Sequence, residues 1–145
     1  MKNDSNLFFL CSLIEFIGRE RKLSRAEVVE ALGEETLRHI YEYADVLHCE
    51  PIAAVADGFI QQCRIPVGDY DNVAACAYEA PDYWTMGEVY QRLIEDMGGN
   101  DTVKSLQEVY ASWLSEALCD YNSDLFYQPR DYLAACYEAG EVLTG

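Results

Sequence analysis

The stretch Trp84-Thr-Met-Gly-Glu-Val-Tyr-Gln-Arg-Leu-Ile-Glu-Asp-Met97-Gly98-Gly99 decides the fold class. Met86, Val89, Tyr90, Leu93 and Met97 recur at helical spacing, so they share one face of a helix and would scatter over both faces of a strand. Thr85 and Glu88 stand in capping-box register, and Trp84 and Val89 occupy the two positions of a hydrophobic staple. The glycine pair ends the segment, because glycine takes the left-handed conformation of a helix terminus at little steric cost.

The same pattern extends in both directions. Leu7 to Arg19 is apolar around most of a helical circumference, which predicts a helix surrounded by other helices. Its run from Leu7 to Ile17 is interrupted by Ser12 and Glu15 and is far shorter than the roughly 20 residues a membrane span requires. Lys2 is offset by Asp4 and no small-x-small cleavage site follows, so a secretion signal is not expected. Ser24-Arg-Ala-Glu27 is a second capping box, opening a short helix that stops at Gly33. Glu34 and Glu35 then open a helix with Leu37, Ile40, Tyr41 and Ala44 on one face. Pro51 starts another, carrying Ile52, Val55, Ala56, Phe59 and Cys63.

Arg64-Ile-Pro-Val-Gly-Asp69 is the clearest connector, and a short helix over about 72–79 is expected before Pro81. Beyond Gly99, Asn100 or Asp101 caps the longest expected helix, running to about Tyr121. Pro129 begins a last one, closed near Gly140. No segment alternates as a half-buried strand would.

The net charge of −16 is unevenly spread. Residues 1–65 carry seven Lys/Arg against eleven Asp/Glu, whereas residues 66–145 carry three against fifteen, a net of −12 in the second half. Such a chain repels nucleic acid and anionic membranes and attracts basic surfaces. Nine of the eleven tyrosines also fall in that half, and tyrosine suits positions with one apolar and one wet end. The six cysteines form no CxxC pair and lie mostly on apolar faces, which reads as reduced, buried thiols of a cytoplasmic protein.

Chemical motifs are scarce. His39 and Glu42 lie three apart on a helix, but di-metal bundles use the order Glu-x-x-His and more than one such pair. His48 and Cys49 are adjacent, whereas a Cys–His catalytic pair is assembled in space. There is no Gly-rich phosphate loop and no nucleophile elbow. Arg19, Arg21, Lys22 and Arg25 form a small basic cluster beside a helix–turn–helix-like segment, diluted by Glu27, Glu30, Glu34 and Glu35.

An apolar first helix, a short capped helix and Ala44-Asp45-Val46-Leu47-His48 before a further helix make residues 8–60 resemble a small bacterial domain family of unknown function. Its members carry Tyr-Asp-Val-Leu-His at that point, where this chain has Ala44 in place of the tyrosine. The resemblance implies a cytoplasmic helical module associated with toxin–antitoxin-like gene pairs, and it implies no catalytic residues.

The sequence therefore predicts an all-α bundle of about six to seven helices in one domain over residues 1–145. The connector at 64–69 is a candidate division between a half of 1–65 and an acidic, Tyr-rich half of 66–145. The function expected is non-enzymatic binding of a basic protein partner, with antitoxin-like neutralisation as one version and a homodimer as the neighbouring one. The face expected to bind comprises Tyr83, Trp84, Tyr90, Asp120, Tyr121, Asp124, Tyr127 and Tyr132. The alternatives are a metal-dependent or hydrolytic enzyme using His39, Glu42 or His48, and nucleic-acid binding through Arg19 to Arg25. No catalytic, metal or cofactor residue is assigned, and no membrane partner is expected.

Overall fold

A computed structural model describes residues 4–144; Lys2, weighed above against a secretion signal, lies outside the described residues. Those residues form seven α-helices and one short 3-10 turn, with no strand among them. The helices are α1 Ser5–Arg21, α2 Arg25–Leu47, α3 Ile52–Cys63, α4 Tyr83–Met97, α5 Thr102–Tyr110, α6 Trp113–Leu118 and α7 Arg130–Ala139, with the 3-10 turn at Leu125–Tyr127.

Helix α1 is the centre. Leu7, Phe9, Leu10, Cys11, Leu13, Ile14 and Ile17 point to different sides of it and are all buried, because α2, α3 and α4 pack around it. Full burial of each such side chain contributes about 1.5–3 kcal/mol, so this helix supplies much of the driving force. Its first turn is capped by Asp4, whose carboxylate accepts from the Leu7 N–H at 3.0 Å. One apolar cluster continues from Leu7 through Met86, Tyr90 and Leu93 of α4 to Leu114, Leu118 and Leu133. Among the described residues no helix is long and apolar enough to cross a membrane.

The break expected at Gly33 is present: within the α2 span Gly33 takes φ 80° and ψ 159°, ending one helical stretch before the next begins. Three expectations need correction. Segment 72–79 is a series of turns, because Asp71 bends the chain by accepting the Ala74 N–H at 2.9 Å. The long helix expected to reach Tyr121 breaks at Ala111-Ser112, where Ser112 Oγ donates to the Val109 carbonyl and accepts from Ser115 N–H to cap α6. Helix α4 starts at Tyr83 rather than at Thr85, with Asp82 as its cap accepting from Thr85 N–H at 2.7 Å.

Candidate functional site

The site begins with a charge that cannot reach water. Glu15 on α1 is 1% exposed and Arg25, the first residue of α2, is 0% exposed. Arg25 Nε and Nη2 each donate to a Glu15 carboxylate oxygen at 2.9 Å, a two-point pairing that matches the planar guanidinium to the planar carboxylate. The remaining groups are also engaged. Arg25 Nη1 donates to the Leu23 carbonyl at 2.7 Å, and Nη2 reaches Asn72 Oδ1 at 3.1 Å and the Tyr121 hydroxyl at 3.3 Å. Tyr121 in turn donates to Glu15. Gly18 makes this possible, since a Cβ there would lie 2.5 Å from Arg25 Cδ.

Burial by itself would raise the Glu15 carboxyl. The Arg25 charge and hydrogen bonds, the Arg19 charge and the Tyr121 hydrogen bond outweigh it, so Glu15 titrates below the ordinary carboxylate range. Burial, and then the Glu15 charge, push the Tyr121 phenol well up. The network is thus an ion pair with a neutral tyrosine at ordinary pH.

Its outer members hold a long irregular segment. Residues 64–82 join α3 to α4, far longer than most connections in a small domain. Asn72 Nδ2 donates to the Cys119 carbonyl at 2.9 Å, and Arg19 Nη2 donates to the Pro81 carbonyl. Gly68 N–H donates to Arg21 O at 2.7 Å and Tyr70 N–H to Lys22 O at 2.9 Å. Across the Cys119–Asn122 turn, Ala77 N–H donates to Asn122 Oδ1 at 2.7 Å and Asn122 Nδ2 to Ala75 O at 3.0 Å. The segment and the turn are one layer laid over the buried pair.

That layer carries apolar groups among carboxylates. Val67, Tyr70, Val73 and Tyr78 are exposed, Tyr78 by 76%. Asp69, Glu79, Asp120 and Asp124 are exposed beside them, and residues 65–91 contain no Lys or Arg. Asp69, Tyr70, Asp71 and Asp120 border a hollow of about 390 Å³. The Tyr70 phenol is pushed up to about 12, by burial first and then by the Cys119 thiol, so it stays a neutral hydrogen-bonding ring.

The residues expected to bind divide. Asp120 and Asp124 lie on the layer, and Tyr127 is 77% exposed beyond it. Trp84 is partly exposed, stacked on Phe8 at 5.5 Å, while Tyr83 is half-buried edge-on against Phe16 at 5.1 Å. Tyr90 and Tyr121 are corrections: both are core. Tyr90 stacks on Tyr110 at 4.2 Å and shares a hydrogen bond with the Ser115 hydroxyl, and Tyr121 belongs to the Glu15 network. Tyr132 is half-buried, its hydroxyl donating to the Leu143 carbonyl. The sequence reading places 72–79 on a helix and leaves Asp69, Tyr70, Asp71, Val73 and Tyr78 out of the face expected to bind, although Tyr70 and Tyr78 are among the nine tyrosines of the acidic half. The signal that could have found them is the cation-free run from 65 to 91, together with the turn-forming Asp71-Asn72 pair.

The basic cluster is also redistributed. Arg25 is buried, Arg19 pairs with Glu15 at 2.9 Å, and Arg21 donates twice to the Ile65 carbonyl, which leaves Lys22 as the exposed cation. Of these four only Arg25 is withdrawn from the surface; Arg19 and Arg21 are half-buried. His39 is exposed on α2 with its ring 4.8 Å from that of Tyr43, and Glu42 and His48 are exposed as well. Among the described residues no three His, Cys, Asp or Glu side chains are grouped to hold a metal. All six cysteines are free; Cys11, Cys119 and Cys136 are buried, Cys63 and Cys76 half-buried, and Cys49 is exposed.

Comparison with family models, with characterised proteins and with solved structures finds no match to this chain.

Proposed function

We propose that this chain is a protein-interaction module whose acidic, aromatic layer, residues 67–80 with the turn at 119–124, receives a basic segment of a partner protein. One observation carries the reading: exposed Tyr78, Tyr70, Val73 and Val67 stand among carboxylates in a stretch without cations, yet its backbone is fastened to the helices beneath. A loop that exposes apolar groups is a liability to a monomer unless something covers them. A loop already held in place loses little freedom on binding, so more of the contact energy appears as affinity. The carboxylates would speed encounter with a basic partner, and the tyrosines would slow its release. Pairing of this layer with its own copy is disfavoured, because like charges would face each other. Neutralisation of a basic protein in an antitoxin-like manner is one form the activity would take.

The test is capture from the native cell with the tagged chain, alongside a variant carrying Asp69→Asn, Asp120→Asn and Tyr78→Ser. The expected result is one basic protein recovered with the native chain, reduced by salt and absent with the variant. A partner retained equally by both chains, or one indifferent to ionic strength, contradicts the proposal.

A further inference from the structure

A second concavity lies between α4 and α7, and its lining differs from that of the acidic layer. Leu93, Phe126 and Leu133 are buried at its base, with Val89 half-buried beside them, and it encloses about 270 Å³. That is close to the lower end of pockets that take small organic ligands, about 300–1,000 Å³. Two cations line it, Arg92 on α4 and Arg130 at the start of α7, against one acid, Glu88. Arg130 is already answered by Asp96 and Glu95, at 2.8 and 3.6 Å, which leaves Arg92 as the cation placed to meet a ligand, in a half of the chain whose net charge is −12. Only three Lys or Arg residues exist in that half, and two of them are here.

The two arginines are held differently. Arg130 is fixed, its Nε and Nη2 donating to the two Asp96 oxygens at 3.0 and 2.8 Å, and it also reaches the Arg92 carbonyl at 3.5 Å. It ties α7 to α4 and so shapes the hollow. Among the described residues Arg92 makes a single ion-pair contact, with Glu88 one turn back at 3.3 Å, and both side chains are about half exposed. Such a pair yields readily to a better acceptor. A guanidinium offers a carboxylate two parallel donors, which a lone surface glutamate contact does not use. Tyr127, largely exposed, stands at the mouth where its ring would flank an apolar ligand.

We propose that the hollow between α4 and α7 binds a small carboxylic acid with a compact apolar body, its carboxylate on Arg92 and its body on Leu93, Phe126 and Leu133. This site is separate from the acidic layer and does not depend on the partner reading.

The experiment titrates the ¹⁵N-labelled protein with benzoate, 3-phenylpropionate, indole-3-acetate and 4-methylpentanoate, each beside its neutral amide. Saturable amide shifts confined to residues 85–93 and 126–133 are expected, with at least one acid binding about tenfold more tightly than its amide. Arg92→Gln should erase that difference while leaving the remaining spectrum unchanged, since residue 92 is exposed on a helix surface. Equal binding of every acid and its amide, no saturable shift at millimolar concentration, or an acid preference that survives Arg92→Gln each overturns the proposal.

Discussion

Of the arginine–carboxylate pairs that join different helices, two stand at opposite extremes of access to water. Arg38 of α2 meets Asp101, the cap of α5, through two hydrogen bonds at 3.1 and 2.7 Å, with both side chains about two-fifths exposed. Arg25 meets Glu15 in the same two-point geometry, with essentially no exposure on either side. Solvent competes for the first pair and salt screens it, so its geometry outlasts its energy. The second pair has given up its hydration, so everything near it must satisfy it. Leu23, Asn72 and Tyr121 do so, and through Asn72 and Arg19 the acidic layer acquires its position. The interior pair thus serves less as a source of net stability than as a fixed reference point for the surface above it.

This contrast can be broken first at Glu15. Glu15→Gln leaves Arg25 buried without a counter-charge and should cost about 3–5 kcal/mol in urea unfolding. A loss much smaller than this would mean water reaches the pair. The double change Glu15→Met with Arg25→Leu removes both charges together and should cost clearly less than Glu15→Gln alone. A smaller effect is expected from Tyr121→Phe, which removes one donor to Glu15, at about 1–3 kcal/mol by the same assay.

The pH dependence sharpens the comparison. Glu15 titrates below its ordinary 4.5 in the folded chain, so on acidification the unfolded chain takes up that proton first. The stability it contributes is whole above about pH 4.5 and is lost as pH falls through the folded value. Burial holds the phenols of Tyr90, Tyr110 and Tyr121 above their ordinary 10.0, so their contribution is whole below pH 10 and declines as pH rises beyond it. Unfolding free energy measured across pH should fall at both ends, and Glu15→Gln should flatten part of the acidic limb. An acidic limb unchanged in that variant would place the titration elsewhere. At the small end, Arg38→Gln should leave the urea midpoint close to that of the native chain, and Tyr78→Ser should do the same while weakening partner capture.

Two capping boxes show how far the sequence was legible. Ser24 and Glu27 form theirs, with Ser24 N–H donating to Glu27 Oε1 at 2.9 Å and Glu27 N–H to Ser24 Oγ at 3.2 Å. Thr85 and Glu88 have the same spacing and do not, because Asp82 lies three residues before Thr85 and its ionised side chain accepts the amide first. Spacing alone cannot rank two adjacent caps. Periodicity likewise ran through the break at Ser112, since the apolar stripe resumes on α6. The all-α class was readable because α2, α4 and α5 each carry an apolar face at helical spacing and α1 is apolar nearly all round.

The candidate site was legible only in outline. Acidity and tyrosine content marked the correct half of the chain, but the fate of each tyrosine depended on partners far away in sequence. Tyr121 is drawn inward by Glu15, 106 residues earlier. Tyr78 is left outside just after Ala75 and Ala77, whose backbone groups are tied to Asn122. No local pattern encodes that choice. The same holds for Arg25, which in sequence is one member of a basic cluster and in the fold is wholly enclosed.

The central claim is that the acidic layer is held ready by the buried pair, and amide hydrogen exchange tests it without any partner. The N–H groups of Gly68, Tyr70 and Ala77 each donate to a neighbouring segment, so they should be protected in the native chain. In Glu15→Gln, under conditions where Leu10 and Leu93 amides remain protected, those three should exchange much faster. Free exchange of Gly68, Tyr70 and Ala77 in the native chain, or protection unchanged in Glu15→Gln, would contradict the account.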